Sequence, residues 1–310
     1  VNEAPVLNGI TSCTLYANGN VCECRVNEEN VLQTSAGALV PRYSRPGVRE
    51  KELKSLSFYA NGSLRSIYLE AQTEIPTPIG PFPAELVTFY EDGAIDSVFP
   101  LNGQIGFAWS EEEEGELAQV YEFPLAFGRI TVKLNGLRFY PDGKLKSLIF
   151  WPGAVVPLHT PGGDFSGRIG VRLHDNGNLE SFEPAVPVVL NTPIGPVPAF
   201  DVNALAVDAD FNSIRFDRKG KLVQLKTSGD IVVQSAGAGR KIISSRTRMG
   251  LMDDTVAKLP LALSFAGNMV TIDDGVERFT YDIADCKFLI LPDFDRSGFN
   301  CTGDCNGCSC

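Results

Sequence analysis

The chain has 310 residues, with 27 Lys and Arg against 38 Asp and Glu, for a net charge of −11. Its 44% hydrophobic and 21% charged content is ordinary for a globular protein, so disorder and collagen-like repeats are excluded. No run of five basic residues draws nucleic-acid phosphates or anionic lipid to so acidic a chain, and no long apolar stretch offers a membrane span.

The N-terminal residues Val1-Asn2-Glu3 lack the basic and apolar segments of a signal peptide, so a cytoplasmic chain is expected. A cleaved secreted or periplasmic chain is the alternative. From there one template recurs six times: CTLYANGNVCEC (13–24), LSFYANGSLRSI (56–67), VTFYEDGAIDSV (87–98), LRFYPDGKLKSL (137–148), VRLHDNGNLESF (171–182) and IRFDRKGKLVQL (214–225). Apolar residues lie six and four positions before the Gly, and two and five after it. The first pair has strand spacing. The second pair is three apart, which a bulge absorbs by taking up one residue of register. Five copies carry Asn-Gly or Asp-Gly, and the sixth has Lys219-Gly220. Such a pair between alternating runs predicts a type I′ hairpin turn, with positive φ at both central residues.

A second turn follows each hairpin: Thr34–Gly37, Thr77–Gly80, Thr160–Gly163, Thr192–Gly195, Gln234–Gly237 and a degenerate Leu125–Gly128. Each unit thus supplies two strands. The fold class expected is all-β, an antiparallel meander of about a dozen strands built from six β-hairpin repeats. Short helices are expected only at Ser110–Val120 and Leu251–Leu259. Beyond residue 240 the strands Leu261–Phe265, Met269–Ile272, Arg278–Ile283 and Lys287–Leu291, with a turn at Asp274-Gly275, read as a cap on the same sheet. The expected division is 1–240 repeat domain, 241–296 cap and 297–310 Cys-rich tail.

The aromatic-x-Asp/Asn-Gly-Lys-Leu-Lys core, closest at Phe139–Lys146 and Phe58–Arg65, resembles MORN-like repeats. The resemblance covers six short windows. The spacing here is longer, and the glycine-rich second half of the usual repeat is missing. The resemblance implies a β-hairpin array used as a scaffold or protein-interaction surface.

Chemistry concentrates in the tail. Cys301, Cys305, Cys308 and Cys310 pack four thiols into ten residues, with Gly303 and Gly307 between them. Converging thiolates suit zinc or an iron–sulfur cluster, so these four are the candidate metal ligands, with Cys286 a substitute. Cys308-Ser-Cys310 is the weak point, because one intervening residue hinders both thiols from reaching one ion. The first three match the spacing of radical-SAM cluster loops, but no βα alternation accompanies them. A disulfide knot in a secreted protein is the rival reading. Cys13 and Cys24 fall on core template positions and read as small buried hydrophobes. A cross-strand disulfide, or a metal site with the outward-pointing Cys22, is their alternative.

Two histidines, His159 and His174, leave little material for Ser-His or Cys-His catalysis, and His174 sits where other copies have Tyr, as a solvated surface residue. Glu111–Glu114 reads as a solvated loop inserted in the long third repeat. Asp293 and Asp295 begin a calcium-like loop that lacks its closing Glu. Asn61-Gly-Ser63 and Asn300-Cys-Thr302 are glycosylation sequons, relevant only to a eukaryotic secreted chain. No catalytic residue is assigned. The function expected is a non-enzymatic scaffold or interaction module with a protein partner and a metal-binding tail. An iron–sulfur redox component, a metal carrier acting with a partner enzyme, and a disulfide-tied secreted protein are the alternatives.

Overall fold

A computed structural model describes residues 6–204, 212–235, 237, 239–249 and 256–291. Contacts divide the chain into two compact units, Val1–Val188 with Ala204–Leu225, and Val189–Asn203 with Lys226–Cys310. In chain order the elements are β1 (Ile10–Leu15), β2 (Val21–Val26), β3 (Leu32–Thr34), β4 (Gly37–Leu39), β5 (Leu56–Phe58), β6 (Leu64–Thr77), β7 (Gly80–Phe89) and β8 (Ile95–Phe99). Helix α1 (Glu111–Leu117) precedes β9 (Val120–Leu125), β10 (Gly128–Phe139), β11 (Leu145–Phe150), β12 (Val155–Thr160), β13 (Gly163–Leu173), β14 (Leu179–Pro184), β15 (Val188–Thr192) and β16 (Gly195–Ala199). The rest are β17 (Ile214–Phe216), β18 (Leu222–Thr227), β19 (Asp230–Ser235), β20 (Gly239–Ile243), β21 (Arg246–Met249), β22 (Val256–Leu259), β23 (Leu261–Ala266), β24 (Met269–Asp273), β25 (Arg278–Asp282) and β26 (Cys286–Leu291).

The protein is all-β and antiparallel. In the first unit twelve strands pair in the order β1-β2-β5-β6-β7-β8-β10-β11-β13-β14-β17-β18. These are the six template hairpins laid side by side. The turn type differs from expectation. Gly62 N–H donates to the Tyr59 carbonyl and Tyr59 N–H to the Ser63 carbonyl, which closes a three-residue loop. Gly62 has φ of +88°, while Asn61 is not among the positive-φ residues. The loop is therefore a type I turn followed by a left-handed glycine, not type I′. Asn or Asp is selected for another reason: its side chain accepts the backbone N–H two residues on, as at Asn18, Asn61, Asp92, Asp142 and Asn176. In the sixth copy Asp217, in the tyrosine position, takes over and accepts from Lys219 and Lys221.

The expected bulge is present in every hairpin. Register shifts by one residue after each turn, so Cys22, Arg65, Asp96, Lys146, Glu180 and Val223 are the extra residues of the six bulges.

The second turns cap hairpin arms: β3–β4, the outer halves of β6 and β7, β9 with the first half of β10, β12 with the first half of β13, and β15–β16. Four arms use the same lock, in which the Thr hydroxyl donates to the Gly carbonyl three residues on, at 2.6–2.8 Å. In the first unit three arm tips meet the hairpin turn two repeats later. Ser35 Oγ donates to the Gly93 carbonyl at 2.7 Å, and Pro78 and Pro161 lie against Gly143 and Gly220. Buried arm residues such as Ile75, Phe123, Ile130 and Leu158 join buried template residues such as Leu56, Val87, Leu137, Phe139, Leu148 and Phe216. Fully burying each large apolar side chain stabilises the fold by about 1.5–3 kcal/mol. Where β13 passes from arm to sheet, Ile169 takes φ +69°, strained for a β-branched residue.

The first copy departs from the template's core pattern. Leu15 is 58% exposed and Cys13 is exposed, because among the described residues no arm precedes β1 to cover that face. Cys13 is therefore not the buried hydrophobe expected.

In the second unit β19 pairs with β20 on one side and β26 on the other, β23, β24 and β25 form a meander, and β21 pairs with β22. The late strands and the Asp274-Gly275 turn are where the sequence placed them, with Gly275 at φ +89°. Val256–Leu259 is strand rather than helix. The hairpin expected to turn at Gly237 closes instead on Ser235 and Gly239.

Candidate interaction surface

Strand alternation gives the ladder a second face, opposite the core. One transverse row on it takes a residue from each of the twelve strands: Thr14, Glu23, Ser57, Ser66, Thr88, Ser97, Arg138, Ser147, Arg172, Ser181, Arg215 and Gln224. Each is the direct cross-strand neighbour of the next. The first half is hydroxyl-rich. There Ser57 and Ser66 share a 2.6 Å hydrogen bond, and Asp96 accepts from Thr88 and Ser97 at 3.0 Å. The second half alternates arginine with serine and ends in Gln224. Ser147 and Ser181 are buried (0% and 1% exposed) beneath the longer side chains around them. Glu180, at its bulge, binds Arg172 at 2.9 Å and Arg215 at 3.2 Å and fixes both guanidinium groups. A groove of about 370 Å³ lies over the row's middle, bordered by Tyr59, Arg65, Tyr68, Asp96, Phe99 and Arg138.

A second ladder runs along the turn end. Tyr16 Oη donates to the Phe58 carbonyl, Tyr59 to Phe89, Tyr90 to Phe139 and Tyr140 to Leu173, at 2.7–2.8 Å. His174 continues it, its Nε2–H donating to the Phe216 carbonyl at 3.0 Å. Each hairpin is thereby tied to the next by a bond worth about 1 kcal/mol. Burial foremost pushes the Tyr90 phenol up to about 12, so it stays a donor at ordinary pH. His174 is therefore not a solvated surface residue. Its side chain is 15% exposed and does a tyrosine's work. Its place in the template held that signal, since only a polar tip on a ring can reach the same carbonyl.

The acidic run is helix rather than loop, and its carboxylates divide: Glu111, Glu112 and Glu113 are exposed, as expected of a solvated segment, while Glu114 is buried. Ser110 caps α1, and Ser110 and Glu113 form a capping box. Glu114 is 3% exposed and binds Arg49 through two 2.7 Å contacts, and Trp109 Nε1–H donates to it at 3.0 Å. Arg49 also grips Glu85 at 2.8 and 3.0 Å. These bonds, the one to Glu114 foremost, hold Arg49 firmly charged. The network ties the inserted segment to β7.

The thiols divide by position. Cys13 and Cys24 are direct cross-strand neighbours, both free, and burial pushes the Cys24 thiol up to about 11, with Cys13 beside it adding to the effect. Cys22 stands at its bulge, half-buried and free. Cys286 is opposite Ser235 on β26. Cys301, Cys305, Cys308 and Cys310, with Asp293 and Asp295, lie outside the described residues. Among the described residues no three of His, Cys, Asp and Glu converge as metal ligands. His159 is 71% exposed, its Nδ1 2.9 Å from Asp164. No helix among the described residues is long and apolar enough to cross a membrane.

Compared with protein-family models, curated proteins and solved structures, the chain matches none.

Proposed function

We propose that the protein is a non-enzymatic β-repeat scaffold and protein-interaction module that works through the polar face of its twelve-strand ladder. The observation that carries this is the unbroken transverse row, one side chain per strand on a rigid array. Repeats stacked in this way present extended surfaces whose geometry follows from the repeat spacing. The resemblance to MORN-like repeats, whose hairpin arrays imply a scaffold, agrees with it. The tail thiols Cys301, Cys305, Cys308 and Cys310 are proposed to hold one zinc ion or iron–sulfur cluster. What supports this is their density and the two glycines among them.

Photo-crosslinking amino acids placed at Ser57 and Gln224 in the row, and at Val155 and Glu122 on the arms, test the surface. In extract of the source cells, discrete protein adducts are expected from the row positions. Adducts from the arm positions alone, or none at all, overturn the reading. For the tail, anaerobically purified protein is expected to carry about one equivalent of zinc or cluster iron. Under about a tenth of an equivalent, with the thiols paired as disulfides, contradicts it.

A further inference from the structure

The twelve-strand ladder begins with β1. Its inner side pairs with β2, and among the described residues no strand pairs with its outer side. All of Ile10–Leu15 is exposed. Asn8 is held by Asn30, and the Gly9 carbonyl accepts from Asn27 N–H, both on the β2 side, so the residues leading into β1 leave its outer side open. Tyr16 N–H donates to the Asn20 carbonyl, and its own carbonyl accepts from Gly19, so Tyr16 faces inward. Strand alternation then turns Thr14 inward, while Cys13 and Leu15 direct their N–H and C=O groups to the open side. Phe58, in Leu15's place in the second hairpin, uses its outward carbonyl to accept from Tyr16.

We propose that β1 pairs antiparallel with β1 of a second copy of this chain, about a two-fold axis that sets Cys13 opposite Cys13, so that two ladders join into one sheet. The inference goes beyond the polar face and does not depend on it. Three observations lead to a second copy as the occupant. First, the pairing continues an interface the molecule already uses between every two hairpins, and nothing on β1 defends against it. Exposed edges are normally blunted by charged residues or proline, and Ile-Thr-Ser-Cys-Thr-Leu has neither. Its one irregularity against β2, at Thr11, lies outside the central pair. Second, a two-fold axis brings like to like, so a charge on the strand would face its own kind. β1 is neutral on a chain of net charge −11. Ile10 and Leu15 are 45% and 58% exposed, and with Cys13 they stand opposite Val26, Val21 and Cys24, on the core side of the sheet. Symmetric pairing sets this apolar strip beside its copy. Third, the sixth hairpin is unsuited to a head-to-tail stack. Asp217 replaces the tyrosine and accepts from Lys219 and Lys221, so no ring there reaches the outward Leu15 carbonyl of another copy. A single strand edge buries less than the roughly 1,200 Å² of stable complexes, so the dimer is expected at tens of micromolar and the monomer below about one micromolar.

Sedimentation equilibrium of the full chain under reductant, from about one to several hundred micromolar, tests the assignment. A monomer–dimer equilibrium that stops at two is expected, and it should tighten as salt screens the repulsion between two acidic copies. C13K puts two cations face to face and is expected to weaken the dimer about tenfold or more, while V155K, on an exposed arm strand, leaves it unchanged. If a melting curve shows that C13K has not folded, L15K replaces it and is expected to weaken the dimer in the same direction. After the reductant is removed, a short bismaleimide should join two copies through Cys13, read by mass spectrometry of the linked peptides. A chain that stays monomeric throughout, a dimer unmoved by the folded variant, crosslinks confined to other thiols, or growth past the dimer overturns the proposal.

Discussion

The first and fourth hairpins read almost alike and live in different environments. In β10–β11 the template residues Leu137, Phe139 and Leu148 are all 0% exposed, and Pro78 of an arm two repeats earlier rests against the turn. In β1–β2 Leu15 is 58% exposed, Cys13 is exposed, and nothing lies within 4 Å of a side chain built at Gly19. The sequence pattern therefore fixes which face each residue takes, while burial is supplied by a partner far along the chain. A repeat's stability is a property of its neighbours as much as of its own residues.

The contrast is sharpest in the core. Phe139→Ala should destabilise the fold by about 3–5 kcal/mol in chemical denaturation. Leu15→Ala, at the same template position, should change it by less than about 0.5 kcal/mol. Similar losses would mean that β1 is covered after all. The turns offer the next test. Gly143 and Gly19 both hold positive φ, +82° and +86°, so valine is strained at either, by roughly 1–3 kcal/mol. Gly143→Val should exceed Gly19→Val in loss of thermal stability, since a Cβ at 143 would lie 3.2 Å from Pro78. Equal losses would separate the arm from the turn. A smaller effect, about 1 kcal/mol, is expected for Tyr140→Phe, which deletes the bond to the Leu173 carbonyl and keeps the ring. An unchanged melting curve would show that the tyrosine ladder does not tie hairpin to hairpin. The mildest probe leaves the fold intact. In native protein at pH 8, Cys13 should react readily with a thiol reagent, and Cys24, a buried thiol pushed up to about 11, only on unfolding. Peptide mapping of the labelled protein reads both, and comparable rates would contradict the burial difference.

Much of this architecture was legible from the Gly-centred template, because hairpin chemistry is local. Asx-Gly, the flanking apolar residues and the two-then-three spacing named the hairpins and their bulges. Turn type was not legible, since Asn-Gly serves a two-residue and a three-residue loop alike. His174 was misjudged because a strand-end ring looks solvated until the next hairpin's carbonyl is placed beside it. Glu114 was misjudged because its partner Arg49 is 65 residues away. The transverse row depended on knowing that β8 pairs with β10, and β11 with β13, across the intervening arms. Nothing in the spacing of Arg138, Arg172 and Arg215 along the chain reveals that alignment.

The central claim is that these twelve residues form one continuous row across an open ladder. Spin labels on non-natural amino acids at 57 and 138, and at 57 and 215, measure it by pulsed electron resonance. Ser57 and Arg138 are four strand steps apart and Ser57 and Arg215 eight, so distances of about 19 Å and about 38 Å are expected before label linkers and twist. A second distance near twice the first supports the row. A second distance equal to or shorter than the first would show that the strands curl back or pair in another order, and would contradict it.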